Sequence, residues 1–260
     1  MSIKISSNAG HSNPPGDPGA VGSAQSKPVL GGQTEAMLAR NMNKAFIDEG
    51  KRRGYDMNDG TRPNGSTAEQ ANFANGFEAR LAVSWHFNSF SDPKATGVEV
   101  WIHTNTSAAN RALAAAVSAA MAKAWGLTNR GVKTTAAFNF LNRTNMPAML
   151  IECAFISNPD DMRKVLANGM AGVNAAWGEI AKAYPLPKAP ATTPAQPVTP
   201  PAPAPAPAKD AKDTPEYKEL MMEYTAVVAE RERLQAAVNL LAAKNETMVK
   251  DLESLLEQYK

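Results

Sequence analysis

The chain has 260 residues, room for one or two domains, and 43% of them are hydrophobic, enough for a sizeable core in the larger part. Its net charge of +2, with neither a basic run nor a basic-aromatic platform, excludes a nucleic-acid binder. A single cysteine excludes an intramolecular disulfide framework, and no apolar run approaches the ~20 residues of a membrane span, so no membrane insertion is expected.

The stretch after Met1 is polar and glycine-rich and carries no apolar signal segment, which predicts synthesis in a cytoplasm without a signal peptide. Within it the short alternating run Ile3-Lys4-Ile5 reads as a strand that ends in a glycine turn, placing His11 at the strand's C-terminal mouth. A glycine-rich loop, Gly16 to Gly22, leads to a helix over Glu35 to Arg53 with Gly54 as its stop and Glu35 in its first turn. Thr67 to Glu78 reads as a second helix, capped by Ser66 or Thr67. Strands are expected near 81–87, with His86 close to the end, and near 98–102. An alanine-rich helix from Ser107 to Trp125 stops at Gly126. Strands over Phe138 to Leu141 and Met149 to Phe155 follow, and one closing helix covers Pro159 to Ala183.

Alternation of this kind predicts an α/β fold, a mainly parallel sheet flanked by helices, with its ligands gathered at the C-terminal ends of the strands. The first domain spans 1–185. Residues 186–214 are rich in proline and alanine and read as a semi-rigid polyproline spacer. Residues 215–260 keep a heptad register. Tyr217, Tyr224, Arg231, Val238, Asn245, Leu252 and Tyr259 fall at a, and Leu220, Val227, Leu234, Leu241, Met248 and Leu255 at d. This predicts a C-terminal coiled-coil helix that makes the chain a homo-oligomer. Polar Asn245 and Arg231 at a favour a dimer, whereas the apolar e positions Met221, Val228, Ala242, Val249 and Leu256 would suit a tetramer. Charge divides with these parts: residues 209–260 hold 8 Lys+Arg against 11 Asp+Glu, and residues 1–208 hold 19 against 14.

His11, Glu35 and His86 are two imidazoles and a carboxylate, a set that can hold a zinc ion (Zn2+) and leave its fourth position open to water. Glu152 is a carboxylate inside the apolar run Ala148 to Phe155. Burying an unpaired carboxylate costs several kcal/mol, so it needs a partner or a task. Cys153 in the same run reads as a buried small hydrophobe, and Trp125 and Trp177 as core. His103 reads as an ordinary strand-end histidine, although a ligand or substrate contact remains open for it, and Glu99 reads as structural. Asn88, just beyond His86, is a candidate substrate contact.

Several segments occur in a telling order: Ala9-Gly10-His11 with Asp17-Pro18-Gly19-Ala20-Val21-Gly22, helical Glu35, Ser84-Trp85-His86-Phe87-Asn88, Gly97-Val98-Glu99-Val100, Arg130-Gly131-Val132-Lys133, and Ile151-Glu152-Cys153-Ala154-Phe155-Ile156-Ser157-Asn158-Pro159-Asp160. Together they resemble the zinc-dependent N-acetylmuramoyl-L-alanine amidases of type 3, found in bacterial autolysins and phage endolysins. The resemblance covers roughly the first 180 residues and departs from the usual pattern at Ser12, Asn142 and Ala154. It implies that His11, Glu35 and His86 bind zinc and that Glu152 is the catalytic general base and acid. The implied substrate is peptidoglycan, cut at the amide between N-acetylmuramic acid and the L-alanine of the stem peptide. A mildly basic catalytic part suits an anionic wall polymer. The layout of catalytic unit, spacer and appendage suggests a phage endolysin acting at the cell wall. A bacterial autolysin, a zinc peptidase of the stem peptide and a noncatalytic wall-binding scaffold are the alternatives.

Overall fold

A computed structural model describes residues 2–12 and 16–187. The chain separates into two units, Met1–Pro190 and Ala191–Lys260, and the first holds every described residue. Apart from Leu186 and Pro187, the spacer lies outside the described residues, as do the heptad segment and the oligomer expected from it.

Six strands form one sheet in the order β2-β1-β3-β6-β4-β5: β1 Lys4–Ala9, β2 Asp56–Asp59, β3 Leu81–Asn88, β4 Val98–His103, β5 Asn129–Thr135 and β6 Ala148–Phe155. The helices are α1 Lys27–Leu30, α2 Glu35–Arg53, α3 Thr67–Gly76, α4 Ala108–Trp125, α5 Asn139–Arg143, α6 Pro159–Ala167 and α7 Gly169–Ala183. Helices α2, α4 and α7 contribute to the larger apolar cluster with Trp85, Val100 and Ile151, while α3 and α5 cover Ala82, Ala148 and Leu150 in a smaller one. Neighbouring strand residues divide between the two, as the period-2 pleat requires. No described helix is long and apolar enough to cross a membrane.

Local signals explain the helix ends. Ser66 and Ser107 accept hydrogen bonds from the amides of Glu69 and Asn110, and Gly54 and Gly126 close α2 and α4 in the left-handed conformation. In the core Phe46 stacks on Trp177 with ring centroids 4.4 Å apart, and the indole N–H of Trp177 donates to the Phe46 carbonyl at 2.9 Å.

The sheet is mixed rather than wholly parallel, because β4 runs antiparallel to β6. Only residues 89–97 join β3 to β4, and they hold no helix, whereas a parallel return needs a crossover of a dozen residues or more. The strand expected over Phe138 to Leu141 is instead the short helix α5, which turns both Phe140 and Leu141 into the smaller apolar cluster. The edge position beyond β4 belongs to β5, at the Arg130-Gly131-Val132-Lys133 segment. The closing helix is broken at Asn168, whose φ of −151° leaves the helical region and whose carbonyl accepts from the Trp125 indole.

Candidate functional site

The parallel strands β1, β3 and β6 bring their C-terminal halves to one end of the sheet, and four candidate residues meet there. His86 and Glu152 are direct register partners on β3 and β6. His11 lies two residues beyond β1, with a φ of 60°, a left-handed conformation uncommon outside glycine. Glu35 enters from the first turn of α2 and is buried.

One ligating atom from each of His11, Glu35 and His86 lies within 4.8 Å of the others. Glu35 Oε1 is 3.1 Å from His11 Nε2 and 3.1 Å from His86 Nδ1. The amide of Phe87 also donates to this oxygen, and the amide of Ala20 donates to Oε2 at 2.9 Å. Two glycines permit this crowding. A Cβ on Gly10 would lie 2.1 Å from the His86 ring, and one on Gly19 would lie 2.6 Å from Glu35 and 2.8 Å from His11.

Asp17 holds the far side of His11. Its Oδ2 is 2.8 Å from His11 Nδ1 while its Oδ1 accepts from the Gly19 amide, so the ring presents Nε2 inward. Asp17 opens the Asp17-Pro18-Gly19 turn, and the sequence alone assigns it no role. The sequence signal for it is a carboxylate six residues from a candidate ligand histidine across a tight turn.

Electrostatics separates the two carboxylates. Burial alone would raise the Glu35 carboxyl, but its bonds to His11 and then His86 hold it well below the usual range. Burial works against the charged form of His11, yet the bonds and charges of Glu35 and Asp17 outweigh it and raise the imidazole to about 9. Glu152 is pushed well above its ordinary value, first by burial and then by the charges of Glu35 and Glu99. Its residue borders the cleft, yet Oε2 is shut away from solvent without a hydrogen-bond partner among the described residues.

These four residues line a cleft of about 420 Å³ whose other walls include Asn88, Ala137, Phe138, Phe140 and Leu150. Asn88 donates to Glu99 Oε1 at 2.9 Å and accepts from the Ser89 amide. Glu99 is buried and paired with Arg130 at 2.7 Å, and Trp101 donates to it as well. The sequence analysis starts a strand at Phe138 and gives Ala137 no element, so it does not show that these two residues wall the cleft.

The other sequence candidates lie apart. His103 ends β4, accepts from the Asn105 amide at 3.2 Å, and borders a separate hollow of about 300 Å³ with Asn142 and Asn145. Cys153 is fully buried, and so is Trp177. A hollow of about 530 Å³ beside the start of α6 shares no residue with the cleft.

Two nitrogens and one oxygen converging at this spacing, beside an unpartnered buried carboxylate oxygen, fit a catalytic zinc ion in both ligand type and number. The α/β fold is shared with solved structures of N-acetylmuramoyl-L-alanine amidases. The chain belongs to the N-acetylmuramoyl-L-alanine amidase family Amidase_3, whose profile covers residues 5–177.

Among curated relatives it is 37% identical over 101 residues to the N-acetylmuramoyl-L-alanine amidase LytC of Bacillus subtilis (strain 168), a match covering 38% of this chain and 20% of the relative. It is 40% identical over 80 residues to the probable cell wall amidase LytH of Staphylococcus saprophyticus, covering 30% and 26%. The matches thus span a fifth to about a quarter of those relatives. Among solved structures, an N-acetylmuramoyl-L-alanine amidase of Clostridium difficile 630 superposes with a TM-score of 0.58 at 24% identity, covering 70% of this chain and 95% of that one. The catalytic domain of an endolysin targeting Clostridium difficile gives 0.59 at 20% identity, covering 69% and 97%. At such identities these neighbours establish the fold.

Proposed function

We propose that the chain hydrolyses peptidoglycan at the amide joining N-acetylmuramic acid to the L-alanine of the stem peptide. The observation that carries this reading is the convergence of His11, Glu35 and His86 beside the unpartnered carboxylate of Glu152, within the span of the amidase family.

His11, Glu35 and His86 would hold a zinc ion, which supplies a Lewis acid that polarises a carbonyl and acidifies water. Glu152 does the proton work. Burial beside two other carboxylates makes it basic, so it takes a proton from the attacking water and delivers it to the amide nitrogen of the leaving alanine. The C–N bond breaks, leaving a lactyl carboxylate on the sugar and a free amine on the peptide. Asn88 has two of its four hydrogen-bonding positions occupied by Glu99 and Ser89, leaving one amide hydrogen and one lone pair for substrate. Phe138 and Leu150 supply an apolar wall that keeps competing water from the reacting atoms.

The succession of catalytic unit, proline-rich spacer and heptad segment supports an endolysin that lyses a phage host, with residues 215–260 joining several copies. Digestion of purified cell walls tests the chemistry: new peptide amino groups should appear without new reducing sugar ends. Metal analysis of His11→Ala, Glu35→Ala and His86→Ala should find zinc lost from each, and full zinc retention by the His86 variant would remove it from the ligand set.

A further inference from the structure

The Arg130-Gly131-Val132-Lys133 segment forms most of edge strand β5, and nothing in the reaction above uses Lys133. In the register of the sheet Lys133 lies opposite Trp101 of β4, and Trp101 lies opposite Leu150 of β6. Residues opposite one another share a face. Leu150 lines the cleft, and Trp101 packs against Phe138 of the cleft wall with ring centroids 5.3 Å apart. Val132 packs into the larger apolar cluster on the opposite face, so the alternation of the strand turns Lys133 toward the cleft side.

On this side the two cations of the segment differ. Arg130 is bound to Glu99 at 2.7 Å. Lys133 makes no ion pair among the described residues. It is half-buried beside an aromatic surface, with Phe138 itself 36% exposed. Two inter-strand steps, about 10 Å, separate its backbone from that of Leu150. Glu152 lies two residues beyond Leu150 on the same face, which puts its backbone about 12 Å from that of Lys133. At ~3.5 Å per extended residue, and with several Å of that gap bridged by the lysine side chain itself, a peptide leaving the scissile amide comes within reach of the ammonium in about two or three residues.

We infer that Lys133 is a specificity-determining residue that binds a carboxylate of the stem peptide, two or three residues beyond the bond cut, while Trp101 and Phe138 support the chain between. This rests on the amidase reading. Two sources offer the same chemistry: the free α-carboxylate of a γ-linked glutamate at the second position, and the carboxylate of the third residue.

The test measures binding of muramoyl tripeptides to full-length E152Q protein, with each of the two carboxylates in turn replaced by its carboxamide. Adding Lys133→Met should weaken the free-acid peptide about tenfold. It should leave nearly unchanged whichever amidated peptide lacks the group that Lys133 binds, and Lys133→Arg should keep the preference. Equal losses for all three peptides, or no loss for any, would overturn the inference. Cleavage by the chain with Glu152 intact is assayed separately: binding coupled to Lys133 without cleavage of any peptide would sustain the Lys133 role and overturn the amidase reading.

Discussion

Glu99 and Glu152 face each other across the antiparallel pair of β4 and β6, and their surroundings divide them into different roles. Glu99 is paired with Arg130 and accepts from Asn88 and Trp101. Glu152, one strand away, keeps an oxygen without a hydrogen-bond partner among the described residues and is driven above the ordinary carboxylate range by burial and by the charges of Glu35 and Glu99. A paired carboxylate orders its neighbours; an unpaired basic one is equipped to take a proton.

Glu152→Gln should therefore separate metal from turnover. The amide keeps the shape and loses the proton acceptor, so zinc content should stay near one per chain. Wall lysis should fall by about 10² to 10⁴. Lysis at the unaltered rate would exclude Glu152 from the reaction.

Arg130→Met should leave Glu99 buried without its cation. Because the Arg130 side chain is 37% exposed, the loss should lie below the 3–5 kcal/mol of a fully buried pair, at about 1–3 kcal/mol. Chemical denaturation should show this, and adding Glu99→Gln should recover part of it. Additive losses in the double variant would contradict the pairing.

Metal-free protein should lose stability on the alkaline side. The imidazole of His11 is raised to about 9 against an ordinary 6.5, so its stabilising contribution is complete below about pH 6.5 and disappears as pH rises through 9. Melting temperatures of chelator-treated protein between pH 6 and 10 should fall over that window, and Asp17→Asn, which weakens the hold on His11, should shrink the fall. A flat profile would show that His11 is not so held.

Much of this was legible in the residues. Glycine stops and serine caps marked α2, α3 and α4, and apolar runs marked β3, β4 and β6, which sufficed to set His86 and Glu152 at one end of a sheet. The misread elements had weak or ambiguous periodicity. Phe138 to Leu141 alternates like a strand over too few residues to exclude a helical turn, and the polar β5 is half-exposed at the sheet edge. Sequence spacing could not give the crossing of β4 beside β6, so it could not foresee that Glu99 and Glu152 would be neighbours, or that Lys133 would share their face.

Residues 215–260 should make the full-length chain a dimer or tetramer, because their a and d positions form one uninterrupted apolar seam apart from Arg231 and Asn245. Light scattering at micromolar concentration checks this, and truncation after Lys188 should yield a monomer that cleaves soluble fragments but clears intact walls less well. A monomeric full-length chain would refute the heptad reading.

Mass spectrometry of a defined muramoyl tripeptide incubated with the protein, with and without a zinc chelator, tests the central claim most directly. The predicted products are the intact muramic acid with its lactyl carboxylate and a tripeptide with a free alanine amine, formed only when zinc is present. Cleavage within the tripeptide, or undiminished cleavage after complete removal of zinc, would contradict it.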